Sequence, residues 1–246
     1  LPDGPHGVRI NPNANLNNFS IPGSTVAASL IVERIGGDLD PFTLILGGNK
    51  TLMESVRGKN PSLVILWIGS NDVLNMVLEA DPNDHTNINE FKNAYKSILR
   101  ELVRQEETRV VAANIPDITS MAILLRKDDY PTLWNLNGIP ADARILATVL
   151  LDIILKGGFL GKVTEEDYLT SDKLNQIRAT IQDFNKEIER QCKREGVPLV
   201  DMFAVSQRWD SNGVTVAGRR LTSNWMGGIF GLDGIHPTFT AHALIA

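Results

Sequence analysis

Hydrophobic and polar positions follow two rhythms along this chain. Leu63-Val-Ile-Leu-Trp-Ile68 is an uninterrupted apolar run closed by Gly69, the pattern of a strand buried on both faces of a parallel sheet. Ile88, Phe91, Tyr95, Ile98, Leu99 and Leu102 then recur at helical spacing, which gives one apolar helix face. Asn87 stands at its start with Glu90 three residues on, the spacing of a capping box, and the pattern fades near Glu107. Arg109-Val-Val-Ala-Ala113 reads as the next strand. It stops at Asn114-Ile-Pro116-Asp117, where proline cannot donate to a ladder. A second helix face follows at Leu174, Ile177, Ile181, Phe184, Ile188 and Cys192. Gly196 ends it, and residues 197–203 read as another strand.

Strands alternating with helices predict an α/β fold, a parallel sheet covered by helices and joined by right-handed crossovers. Ligands of such sheets bind outside the carboxyl ends of the strands. Residues 69–72 and 114–117 both follow strands and so belong to that edge. Residues 127–170 break the alternation with an apolar helix over 144–155 followed by Gly157-Gly158. That helix is either packed on the core or part of a lid that contacts substrate. No repeat, low-complexity tract or linker divides the chain, and 246 residues suffice for a single α/β domain.

Composition narrows the function. An apolar content of 43% and a charged content of 22% are ordinary for a globular protein, and a net charge of −5 offers no basic surface for nucleic acid. The longest apolar stretch, residues 145–155, contains Asp152 and falls short of the roughly 20 residues of a membrane-spanning helix. The lone cysteine, Cys192, excludes an intrachain disulfide and falls on a core-facing helix position. No cluster has metal-ligand spacing and no phosphate loop is present, so no cofactor is expected.

Three segments carry candidate chemistry. In Asp233-Gly-Ile-His236-Pro237 an acid and an imidazole lie three apart, with Gly234 allowing the turn and Pro237 restricting the backbone at His236. A histidine oriented by a carboxylate is suited to general base and acid work; a loop in which Asp233 merely caps a turn is the plainer reading. Asn71, at the mouth of the first strand, is either an amide donor to a carbonyl oxygen or a turn asparagine. Gly23, within Asn18-Phe-Ser-Ile-Pro-Gly23-Ser-Thr-Val26, either offers its backbone N–H at close approach or simply makes a turn after Pro22. His6, His85 and His242 have no acid placed to orient them. Asp210-Ser211 leads into Asn212-Gly213, a hairpin signal, and reads as a loop.

In this order, the segments around Gly23, Asn71 and His236 resemble the second, third and fifth sequence blocks of the SGNH (GDSL-type) esterase and lipase family. Asn114-Ile-Pro-Asp117 resembles the fourth, which shapes the site wall. The first block, Gly-Asp-Ser-Leu with the nucleophilic serine, is not among the 246 residues. The resemblance implies a three-layer αβα sandwich whose parallel sheet has the flavodoxin-like order 2-1-3-4-5. Residues 16–21 and 63–68 would be the second and third strands, flanking a first strand that the chain lacks. It implies a serine hydrolase of carboxylic esters, with a lipid, short-chain acyl or acetylated-sugar substrate. His236 would be the base, Asp233 its orienting acid, Gly23 and Asn71 the oxyanion donors, and the nucleophile a serine outside the chain. Ser70 belongs to the segment that resembles the third block, and Ser20 and Ser24 lack the strand-to-helix turn that exposes a nucleophile. A secreted or periplasmic location rests on the resemblance alone. A missing central strand would leave buried backbone groups unpaired, and the helix begun at residues 238–246 has no cap or polar stop signal, so the chain is expected to be truncated at both ends. A non-catalytic binding protein that keeps the fold without the serine is the alternative.

Overall fold

In a computed structural model of the chain, residues 17–31, 45–46, 50–132, 139–155 and 163–245 are described. His6, Leu16, Gly157, Gly158 and Ala246 lie outside them. The chain divides into two compact units. The first comprises Leu1–Asp72, Thr86–Asn114 and Phe184–Val200, and the second Val73–His85, Ile115–Asp183 and Asp201–Ala246.

The first unit holds the parallel sheet. Strand β1 (Leu63–Trp67) pairs in parallel with β2 (Arg109–Ala113), and β2 with β6 (Leu199–Val200), in the order β1-β2-β6. Parallel pairing requires crossovers, and the sequence supplies helices for them. Helix α1 (Leu52–Arg57) opens with a complete capping box between Thr51 and Glu54. Helix α3 (Ile88–Val103) is capped by Asn87, whose side chain accepts from Asn89 N at 2.9 Å. Glu90 does not close a box, and the helix ends at Val103 rather than near Glu107, because Thr108 N turns back onto Gln105 O. The expected apolar face is buried from Phe91 on, while Ile88 in the first turn is exposed. Phe91, Tyr95, Ile98, Leu99 and Leu102 are buried, as are Phe184, Ile188 and Cys192, with Phe91 edge-on to Phe184 at 4.7 Å. Cys192 is buried with its thiol pushed up by desolvation, 3.9 Å from the Tyr95 hydroxyl, which makes it a structural residue.

Three expectations for the sheet change. Strand β1 was expected to be buried on both faces, but Leu63, Ile65 and Trp67 are exposed, Ile65 to 72%. Among the described residues nothing pairs with its outer edge. A trough of about 790 Å³ runs along that edge, walled on its far side by Phe19, Ile21, Leu52, Met53 and Val56. Residues 17–21, expected to end a strand, have no regular structure, since an extended segment without a paired neighbour forms no ladder. The third strand of the sheet is shorter than residues 197–203. Asp201 accepts from Ala204 N at 3.1 Å and starts α6 (Met202–Asn212), which takes Phe203 into a helix.

The second unit contains α2 (Asn75–Leu78) and a three-stranded antiparallel sheet, β3 (Leu124–Leu125), β4 (Arg144–Leu146) and β5 (Tyr168–Leu169), in the order β3-β4-β5. Residues 144–146, expected to begin a helix, are thus a central strand. Helix α4 starts only at Ala147 (Ala147–Leu155), because Ile145 and Leu146 pair with Leu125 and Leu124. Leu125, Ile139, Ala143, Ile145 and Val163 form a buried cluster, against which Ala147, Val149 and Leu150 of α4 pack, while Leu151 is exposed. Helix α5 (Ser171–Glu195) carries the second expected apolar face. Asp210 and Ser211 lie in α6 and not in a loop. The hairpin turn falls instead at Ala217-Gly218, between β7 (Val214–Val216) and β8 (Arg219–Leu221). Gly213, at φ +64°, ends α6. Helix α7 (Phe239–Ile245) follows the histidine segment as expected.

Candidate active site

The histidine segment lies in the second unit and is built by its own backbone. Asp233 Oδ1 accepts from Ile235 N at 2.9 Å and His236 N at 3.0 Å, an Asx-type turn that leaves Oδ2 for the imidazole. His236 Nδ1 lies 2.6 Å from that Oδ2. With a proton on Nδ1 the ring donates to the carboxylate and Nε2 is the free basic nitrogen. Partial burial works to raise the Asp233 carboxyl, but hydrogen bonds from the His236 ring and from Ile235 N and His236 N hold it below its ordinary value. It remains an anion facing the imidazole near neutral pH. The imidazole is largely exposed, and Asp233 contacts it while also capping the turn.

Gly234 is required here. At φ +69° its backbone passes so close that an added Cβ would sit 2.6 Å from Ile123 N and 2.7 Å from the Trp225 ring, and its carbonyl accepts from Ile123 N at 2.9 Å. Gly231 N donates to His236 O at 2.7 Å, and Thr238 N to Ile229 O at 2.9 Å, so the chain is pinned on both sides of the histidine. The Thr238 hydroxyl accepts from Ala241 N at 3.2 Å and caps α7.

The Gly23 and Asn71 segments lie in the first unit and touch each other. Ser24 N donates to Ile21 O at 3.2 Å, with Pro22 second and Gly23 third at φ +76°, the arrangement of a type II turn. Gly23 is exposed and no atom lies within 4 Å of where its Cβ would be. After β1, Gly69 at φ +117° leads into a short 3-10 turn, Ser70–Asp72. Asn71 Nδ2 donates one N–H to Ser24 O at 3.0 Å, which fixes the amide and leaves its second N–H for another acceptor. Ser24 is buried with its hydroxyl directed to Thr25 O at 3.3 Å, and Ser70 lies within the 3-10 turn. Ser24 lies outside any strand-to-helix turn.

Asp72, which the motif alone did not single out, is the buried acid of this unit. It is 2% exposed, and its Oδ2 accepts from Val26 N at 2.9 Å. Burial pushes its carboxyl up to about 6, with the charge of Glu90 acting the same way and the Val26 N–H and Thr86 hydroxyl acting against it. The polar neighbour of Asn71 was visible in sequence; its burial depends on a contact 46 residues away.

The fourth segment divides between the units. Asn114 is buried after β2. Asp117, in the second unit, is 2% exposed and accepts from Thr119 N at 3.0 Å and Arg178 Nε at 3.0 Å. Nearby, Asp210 pairs with Arg126 and accepts from the Ser223 hydroxyl at 2.7 Å. These carboxylates are fully engaged in holding helices and loops together. Among the described residues no group of three or more His, Cys, Asp or Glu side chains could hold a metal ion, and no helix is long and apolar enough to cross a membrane.

The fold is of the α/β type, with a parallel sheet and helices on both sides. Residues 5–246 match the family described as GDSL-like lipase/acylhydrolase. The chain belongs to this family, whose members are hydrolases of ester substrates. No curated protein matches it. Among solved structures it is similar to that of an acetyl xylan esterase, AlAXEase, at 17% identity and a TM-score of 0.34, over 63% of this chain and 52% of that one. The chain thus spans about half the length of that protein.

Proposed function

We propose that this protein hydrolyses carboxylic esters through an acyl-enzyme intermediate. A serine hydroxyl attacks the acyl carbonyl, His236 Nε2 takes its proton and returns it to the departing alcohol, and Asp233 steadies the imidazolium. The second N–H of Asn71 and the backbone N–H of Gly23 donate to the oxyanion of the tetrahedral intermediate. Water then attacks the acyl-serine with His236 again as base, releasing the acid. The observation that carries this reading is the 2.6 Å contact between His236 Nδ1 and Asp233 Oδ2, in a turn that leaves Nε2 unencumbered.

The nucleophile is proposed to be a serine at the end of a strand that pairs with the outer edge of β1 and lies outside residues 1–246. The trough beside β1 supports this. It lies along the whole of β1, from Leu63 to Trp67, and is lined on its other side by apolar residues. Lipid, short-chain acyl and acetylated-sugar esters all remain open as substrates, and the apolar α4 favours apolar acyl groups.

The test is hydrolysis of a chromogenic ester by the protein expressed from its full coding sequence. His236→Ala is expected to abolish turnover while leaving the unfolding temperature nearly unchanged, because the ring is exposed. Turnover unaffected by that substitution would refute the assignment. A protein that binds the ester without turning it over would point to the non-catalytic alternative.

A further inference from the structure

Two hydrogen bonds tie the turn holding Gly23 to the loop holding Asn71, and they come from adjacent residues. Asn71 Nδ2 donates to Ser24 O at 3.0 Å, and Val26 N donates to Asp72 Oδ2 at 2.9 Å. We infer that Asp72 is a positioning residue, a buried clasp that sets where the Gly23 N–H and the Asn71 amide stand relative to each other. This inference rests on the oxyanion roles proposed above and names the group that holds them in register.

Asp72 is itself immobilised. Its N–H donates to Gly69 O at 3.1 Å and its carbonyl accepts from Thr86 N at 2.8 Å, so its backbone is pinned on both sides of the turn. Its side chain then reaches the turn segment through Oδ2, which accepts from Val26 N at 2.9 Å. Val26 is wholly buried, so its N–H has no solvent to turn to if Asp72 lets go. An oxyanion hole needs its donors fixed before charge develops. The Asn71 bond fixes Ser24, the last residue of the turn, and the Val26 bond fixes the chain two residues beyond it.

The clasp changes strength with protonation. As a carboxylate, Asp72 is a charge-assisted acceptor for Val26 N–H; as a carboxylic acid it is a weaker one. The groups acting on it are the Val26 N–H, the Thr86 hydroxyl and the carboxylate of Glu90, with burial the dominant influence, so the change falls at about pH 6. Above that pH the turn and loop are held tightly.

Nuclear magnetic resonance of the protein tests this without relying on catalysis. The Val26 amide proton is expected to titrate with a midpoint near pH 6, and Asp72→Asn, which keeps an acceptor but has no proton to lose, is expected to abolish that titration. Asp72→Ala is expected to shift the Gly23 amide and Asn71 side-chain amide resonances along with Val26, and Asp72→Asn to restore them. Gly23 and Asn71 resonances that stay in place in Asp72→Ala, or a Val26 titration that persists in Asp72→Asn, would overturn the inference. In ester hydrolysis, Asp72→Ala is expected to lower kcat about tenfold at unchanged KM, and Asp72→Asn to recover most of it with a flatter acid limb. Equal turnover in parent and Asp72→Ala would also overturn it. A parent that hydrolyses no ester would refute the oxyanion roles but leave the resonance test of the clasp standing.

Discussion

His236 and Asp233 need only three residues of chain to find each other, and their pairing was legible in the sequence for that reason. Gly234 supplies the left-handed turn and the Asp233 carboxylate collects two backbone N–H groups and one ring nitrogen. Asn71 and Asp72 are different. Their partners, Ser24 and Val26, lie 47 and 46 residues away, and no local pattern announces such contacts. Asn71→Ala is expected to lower the catalytic rate by roughly 10² to 10³ if its amide stabilises the oxyanion; equal rates in the two proteins would remove Asn71 from the site. Asp72 makes a prediction about stability with a definite sign. Its folded carboxyl sits at about 6, above the ordinary 3.8, so its contribution to stability is complete below about pH 4 and is lost as pH rises through 6. A gap of about two pH units corresponds to about 3 kcal/mol. Relative to Asp72→Asn, the parent should therefore lose up to that amount between pH 4 and 7 in urea unfolding, and a constant difference across that range would contradict the burial argument.

At the scale of elements, strand β2 and helix α3 were legible because one period dominates each segment, and Ala113 and Asn87 mark their ends in structure as in sequence. Residues 144–146 misled because Arg144-Ile145-Leu146, directly before a helix, carries no sign of being a strand; pairing with Leu124-Leu125 and Tyr168-Leu169 decides it. Helix α4 separates two roles by single residues. Leu150 packs on the Leu125 and Ile145 cluster and Leu151 is exposed. Leu150→Ala is expected to cost roughly 1 to 2 kcal/mol, below the range of a fully buried leucine. Leu151→Ser should leave stability unchanged and, if α4 borders the substrate, shift the preference from long toward short acyl esters. Equal activity on all chain lengths would make α4 ordinary structure. Strand β1 carries a different expectation. An apolar edge with no partner among the described residues is a template for association between chains, so Ile65→Lys is expected to reduce self-association of residues 1–246, seen by sedimentation, with little change in unfolding temperature. Association unchanged by that charge would mean that the edge is not what the chains use.

For the whole molecule, the α/β class and the family follow from segments read in order, whereas the edge of β1, without a partner among the described residues, and the trough beside it appear only in three dimensions. An apolar run of six residues reads the same whether or not a neighbour fills the space beside it. Fold and family do not by themselves make an enzyme; the claim that matters is that His236 activates a serine on a strand seated against β1. The most direct measurement is labelling of the protein, expressed from its full coding sequence, with a serine-reactive phosphonate, followed by mapping of the modified peptide. The expected result is a single modified serine outside residues 1–246, with labelling lost in His236→Ala. Modification of Ser20, Ser24 or Ser70, or labelling that survives His236→Ala, would contradict the account.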